Sequence, residues 1–193
     1  MPPKAKFTKE EIVKAALKIV EREGNEALTA RSLGAELGSS ARPVFTVFNG
    51  MDEVFDAVIS AAKAVYSGYV EEGLKARPAF KGVGTAYIRF AAERPRLFRL
   101  LFMTENAQSS DKNSILQGIE EHYESILRSI EDGYGLAGKD ATDIYMHLWI
   151  YAHGIAVLIA TGVCLFTPEQ ISQMLTEVFI GILKNIKART END

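Results

Sequence analysis

The chain has a single cysteine, Cys164, in 193 residues. An intramolecular disulfide and a cysteine-based zinc finger are therefore excluded, which fits a reducing compartment. Excess positive charge is missing too. The formal net charge is −3, so any contact with nucleic acid has to be local. The N-terminal stretch lacks the apolar core of a signal peptide, and a cytoplasmic location is expected. There is no strand-like alternation, no repeat and no low-complexity linker. No nucleophile elbow, phosphate-cradling glycine loop or paired acid–base constellation stands out, so no enzymatic activity and no cofactor are expected. The three histidines, His122, His147 and His153, lack a ligand spacing with carboxylates, and no metal is expected.

What is present is helical periodicity and an uneven charge distribution. Residues 1–50 carry eight basic and six acidic side chains, which leaves the remainder five charges negative. Lys4, Lys6 and Lys9 form a small basic arm, a feature that suits phosphate neutralisation and equally a solubilising terminus. Thr8 and Glu11 read as a capping box, with Phe7 and Ile12 as a staple, for a first helix that Gly24 ends. Thr29 caps a second helix. Ser40 caps a third, with Pro43 inside its first turn, and Asn49-Gly50 closes it. Further helices are expected over about Met51 to Lys75, Ala79 to Arg94, Arg96 to Met103, Ile115 to Ile130, Ala141 to Leu165 and Glu169 to Ala188. Residues 104–114 and the Gly133, Gly135, Gly138 stretch read as loops. The fold class is all-α.

Residues 28 to 48 carry the sharpest signal, a helix-turn-helix. Leu33 and Leu37 lie one turn apart and face inward. Gly34 is small where two helices cross, and Gly38 supplies the positive φ of the turn. Val44 and Val47, spaced i and i+3, close the miniature core. Ser40, Ala41, Arg42, Pro43 and Thr46 are left facing outward, a set that suits base edges and phosphates. Arg42 can pair bidentately with guanine O6 and N7, or with a phosphate. Thr46 can meet a thymine methyl or a phosphate. Ser39 stands where such motifs usually carry an apolar residue.

This pattern resembles the TetR (tetracycline-repressor) family of bacterial transcriptional regulators. The likeness is carried by Thr29-Ala30-Arg31-Ser32-Leu33-Gly34-Ala35-Glu36-Leu37-Gly38, by Val44-Phe45-Thr46-Val47-Phe48, and more loosely by the Trp149, His153-Gly154 signature. The resemblance implies a three-helix head over residues 1–50 that binds double-stranded DNA. It implies an effector-binding and dimerisation domain of about six helices over residues 51–193. The DNA-binding residues are then Lys6, Thr29, Arg31, Ser40, Ala41, Arg42, Phe45 and Thr46. Two positions depart from the family pattern. Phe45 replaces a tyrosine and Met51 a lysine, and both changes remove phosphate contacts.

In the second half, Tyr87, Phe90, Phe98, Phe102, Met103, Tyr123, Tyr145, Trp149 and His153 are either plain core or, as the family likeness implies, the lining of an apolar effector cavity. The implied partner is a small, largely apolar effector. Residues 144–170 hold one charged side chain, Glu169, a stretch long enough to cross a bilayer. A membrane-associated helical protein is therefore the alternative reading. Without a membrane, the stretch explains itself as half of a homodimer interface. Gly154, Ala156, Ala160 and Gly162 then permit close approach, and Ile171, Leu175, Val178, Phe179, Ile182, Leu183 and Ile186 supply the second helix.

Overall fold

The computed structural model describes residues 6–104 and 120–190, and every regular element among them is helical. The α-helices are α1 (Lys9–Glu23), α2 (Ala30–Glu36), α3 (Met51–Leu74), α4 (Ala79–Glu93), α5 (Pro95–Phe102), α6 (Tyr123–Tyr134), α7 (Gly138–Ala160) and α8 (Pro168–Thr190). Two compact units result. One comprises residues 1–65 and 94–104, the other residues 66–93 and 105–193. The division therefore falls inside α3, whereas the sequence reading drew its line at residue 50.

In the first unit α1 starts on a full capping box between Thr8 and Glu11 and stops at Gly24, whose φ is 97°. A second box, between Thr29 and Ser32, starts α2. Two tightening bonds end α2: Ser39 N–H donates to the Gly34 carbonyl at 2.8 Å and Gly38 N–H to that of Ala35 at 3.0 Å. This arrangement needs a left-handed residue, and Gly38 has φ 62°. A Cβ on Gly34 would lie 2.7 Å from Ala41 N and 2.8 Å from the Ser40 carbonyl carbon. The backbone of the following turn is therefore pressed against α2. Ile12, Ile19, Leu33, Val44, Phe48, Val54, Val58, Leu97 and Phe98 make the core of this unit.

The third helix of the head differs from expectation. Its place is taken by a turn followed by one 3-10 turn, Val44–Thr46. Ser40 caps nothing there. Pro43 brings no N–H, the β-branched Val44, Thr46 and Val47 disfavour a short helix, and the Thr46 hydroxyl donates back to the Pro43 carbonyl at 2.7 Å. Phe48 is buried at the end of this segment while Val47 is only partly covered.

In the second unit α4 packs on α6, α7 and α8, and α7 packs on α8. Gly73 and Gly82 let α3 and α4 touch, since a Cβ on Gly82 would stand 2.2 Å from the Gly73 carbonyl oxygen. Two other elements differ from the sequence reading. The helix expected from Ile115 is described only from Tyr123, because residues 105–119 lie outside the described part and Glu120 to His122 are not helical. It then runs on through Gly133 to a left-handed Gly135. The helix expected to reach Leu165 ends at Ala160, where Val163 N–H donates to the Leu158 carbonyl and Gly162 N–H to that of Ile159, both at 3.0 Å. Gly162, at φ 74°, makes that stop possible. Thr167 and Gln170 then cap α8 reciprocally.

Candidate functional site

The eight residues expected at a DNA surface all belong to the first unit. Thr29 stands exposed at the start of α2, and its hydroxyl oxygen accepts from Ser32 N–H at 3.1 Å. Arg31, the second residue of α2, is exposed, as are Ser40, Arg42, Phe45 and Thr46. Ala41 is half-buried because its backbone meets Gly34. Lys6 Nζ donates to Ser39 Oγ at 3.0 Å. That bond gives Ser39, at a position usually apolar, a role in tying the N-terminal arm to the turn. Lys9 is engaged otherwise, with Glu53 at 3.6 Å and over the Phe48 ring at 5.1 Å. Lys4 lies outside the described residues.

Some cations of this unit hold it together. Arg22 pairs with Glu23 and Glu36, and Arg94 with Glu21 at 2.7 Å. Arg96 donates to the Glu21 carbonyl at 3.0 Å. Among the described residues Arg31 and Arg42 have no such partner. They are the cations of the helix-turn-helix left to meet a polyanion.

The residues expected at an effector cavity separate. Phe98, Phe102 and Met103 sit on or just beyond α5, in the first unit. Phe98 is fully buried with Phe102 against it at 5.3 Å between ring centroids, and Met103 is exposed. The arginines that fasten α5 to the end of α1 are the reason. Phe90 is fully buried between Tyr66 and Tyr69, as core of the second unit. Tyr123 is buried and stacks on Tyr145 at 5.8 Å.

Tyr87, Tyr145 and Trp149 line a cavity of about 320 Å³ in the second unit. That volume is at the small end of ligand pockets, which run from roughly 300 to 1,000 Å³. His153 stands behind it. Its Nδ1 shares a 2.8 Å hydrogen bond with the Tyr87 hydroxyl, and its ring stacks on Trp149 at 5.1 Å. Burial lowers the His153 pKa, so the ring favours its neutral form.

Four more rings complete the wall: Tyr66 from α3, Phe80 from α4, Tyr134 from α6 and Phe179 from α8. Sequence reasoning missed these as lining. Phe80 could have been found, since it shares a helical stripe with Tyr87 at i and i+7. Leu175 and Phe179, read from sequence as interface residues, also line the cavity. Glu120 had no sequence signal at all. It is 4% exposed, accepts from the Tyr66 hydroxyl at 2.5 Å and from His122 N–H at 3.0 Å, and lines the cavity. Burial pushes its carboxyl above the ordinary range, and the Tyr66 and His122 bonds pull it only partly back. Burial, with Glu120 adding to it, also raises the Tyr66 and Tyr87 hydroxyls, so both act as neutral O–H groups. No group of three or more potential metal-ligating side chains occurs among the described residues.

By length and composition α7 could cross a membrane. In the folded chain its Ala141, Ile144, Tyr145, Leu148, Ala152, Ile155 and Ala156 are buried. That pattern is one of a core helix.

Comparisons with known proteins agree with this arrangement. An uncharacterized HTH-type transcriptional regulator of Mycobacterium tuberculosis is 25% identical over 195 residues, covering 96% of this chain and 84% of the relative. A transcriptional regulator from Rhodococcus sp. RHA1 superposes with a TM-score of 0.63 at 17% identity, covering 93% of this chain and 97% of the other. A Rhodococcus sp. RHA1 protein of unknown function superposes with a TM-score of 0.70 at 18% identity, covering 96% and 98%. The pattern of the tetracyclin repressor-like C-terminal domain matches residues 80–179, just over half of the chain. With the helix-turn-helix unit ahead of that match, the chain belongs to the TetR (tetracyclin repressor-like) family and is a transcriptional regulator of that type.

Proposed function

We propose that this regulator is a homodimeric repressor whose two heads occupy adjacent major grooves of a pseudo-palindromic operator, and whose grip is changed by a small, largely apolar effector. The observation that carries the reading is that Arg31 and Arg42, the two cations of the helix-turn-helix, are both exposed and hold no ion pair among the described residues. Arg42, with Thr46 beside it, is assigned to base edges. Thr29, Arg31, Lys6 and backbone N–H groups at the start of α2 are assigned to phosphates, with Ser40, Ala41 and Phe45 lining the contact. Effector binding is assigned to the cavity of the second unit, with Tyr87 and Trp149 from the sequence reading and Tyr66, Phe80 and Phe179 added. An effector acts by its different affinity for the two DNA-binding states. One helix, α3, runs from the first unit to Tyr66 in the cavity wall, a continuous covalent route for that difference.

The dimer is assigned to α7, α8 and the loop between them. Ile150, Leu158 and Ile180 are exposed there, and Val163 and Leu165 are 71% and 84% exposed. Clustered exposed apolar side chains of this kind mark a contact surface. The working compartment is the cytoplasm, where the target DNA lies, and no catalytic step is assigned. Selection of bound sequences from a random duplex pool at fixed salt tests the reading. An enriched two-fold symmetric site is expected. A pool that stays unenriched while the protein is folded and dimeric rejects it.

A further inference from the structure

The cavity joins seven aromatic residues to one buried carboxyl group. Such a group is costly unless it is neutral or paired with a cation. Among the described residues none forms an ion pair with Glu120. Its hydrogen bonds come from a tyrosine hydroxyl and a backbone N–H, and the nearby His122 ring is turned to Ser67 Oγ at 2.7 Å. The one lysine on the wall among the described residues, Lys81, is exposed to water and so keeps its own hydration. Among the described residues the only full charge available deep in the site is therefore negative, and the aromatic rings that line the cavity with it have π-faces, which attract cations.

We infer that the effector is a lipophilic organic cation, whose charged nitrogen pairs with the Glu120 carboxylate while its apolar body lies among Tyr87, Tyr145 and Trp149. The inference rests on the reading of this cavity as the effector site. Burial holds the empty-site carboxyl above its ordinary range, and an arriving cation offsets that cost. An anionic ligand meets the reverse, with Glu120 opposing it and only the solvated Lys81 in favour.

Trp149 is the sole tryptophan of the chain, so its fluorescence reports occupancy of this cavity directly. The probes are phenylpropylamine, phenylpropanol and hydrocinnamate, one shape carrying a cation, a neutral hydroxyl and an anion. At about pH 8, where the amine probe is cationic and the hydrocinnamate probe anionic, the amine is expected to bind at least about tenfold more tightly than either of the others. In Glu120→Gln the amine is expected to fall to the level of the alcohol, whose own affinity is kept. Equal or tighter binding of the alcohol or the anion overturns the inference, as does no response to the amine at millimolar concentration. The wild-type series decides the matter even if the variant fails to fold. Operator release is read separately. Amine binding without release leaves the ligand class standing and rejects effector control by this cavity. Release by the neutral or anionic probe alone does the opposite.

Discussion

At the residue scale, Gly34 shows how a local rule and a tertiary contact meet in one atom. A Cβ there would press on the backbone of Ser40 and Ala41, which cannot yield as a flexible side chain can. Gly34→Ala is expected to cost about 1–3 kcal/mol by denaturant unfolding, despite alanine's better helix propensity. An unchanged midpoint counts against the close approach. Arg31 and Arg42 look alike in exposure but are assigned different work. Arg42→Ala is expected to cost about 1–3 kcal/mol at the cognate site and to relax sequence preference at one base pair. Arg31→Ala is expected to weaken all sequences alike and to reduce the salt slope by about one. Competition binding on operator and scrambled duplexes separates them. His153 makes a pH prediction. Its native pKa is lowered, so near and below about pH 6.5 the unfolded chain takes up a proton that the native ring refuses. This contribution to stability is present above that range and is lost as the pH falls through it. Glu120, raised in the native state, acts with the opposite sign from the ordinary carboxylate range upward. Melting curves across pH are therefore expected to show a shallower acid-side decline in His153→Gln than in the wild type.

At the scale of elements, much of the first unit is legible because its signals are short-range. Thr8, Thr29, Gly24 and Gly38 each act through neighbours within a few residues or one turn, and Gly34 through the turn that directly follows its own helix. Removing the hydroxyl in Thr29→Ala is expected to cost about 1 kcal/mol, since it undoes a reciprocal cap on a helix of seven residues. The third helix was misread because Pro43 is tolerated in a first turn only if the following residues can carry the helix on. Val44, Thr46 and Val47 do not. The cavity was only partly legible for a different reason. Helical spacing shows which residues point inward, but not whether they meet another side chain or a void. Phe90 and Tyr87 lie three apart on α4, one packed solid and the other on the wall. Phe98 and Phe102 were misplaced because nothing local shows that Arg94 and Arg96 bind the end of α1. Phe98→Ala is accordingly expected to cost about 3–5 kcal/mol as a loss of core in the first unit.

At the scale of the whole molecule, the apolar stretch of α7 had two readings, membrane and core, and burial with the family match decides for the second. Its exposed remainder, with Leu165 and Ile180, is assigned to a two-fold contact. Leu158→Glu combined with Ile180→Glu is expected to yield monomers in sedimentation and to abolish the cooperative occupation of two half-sites. Dimers that persist would place the contact elsewhere. The backbone contact between Gly34 and Ala41 has a last consequence for how the molecule meets DNA. Arg31 and Arg42 are carried by two segments already locked together, so their spacing is set before any encounter. What DNA has to order is then chiefly the two long side chains, and the conformational entropy lost on docking is correspondingly small.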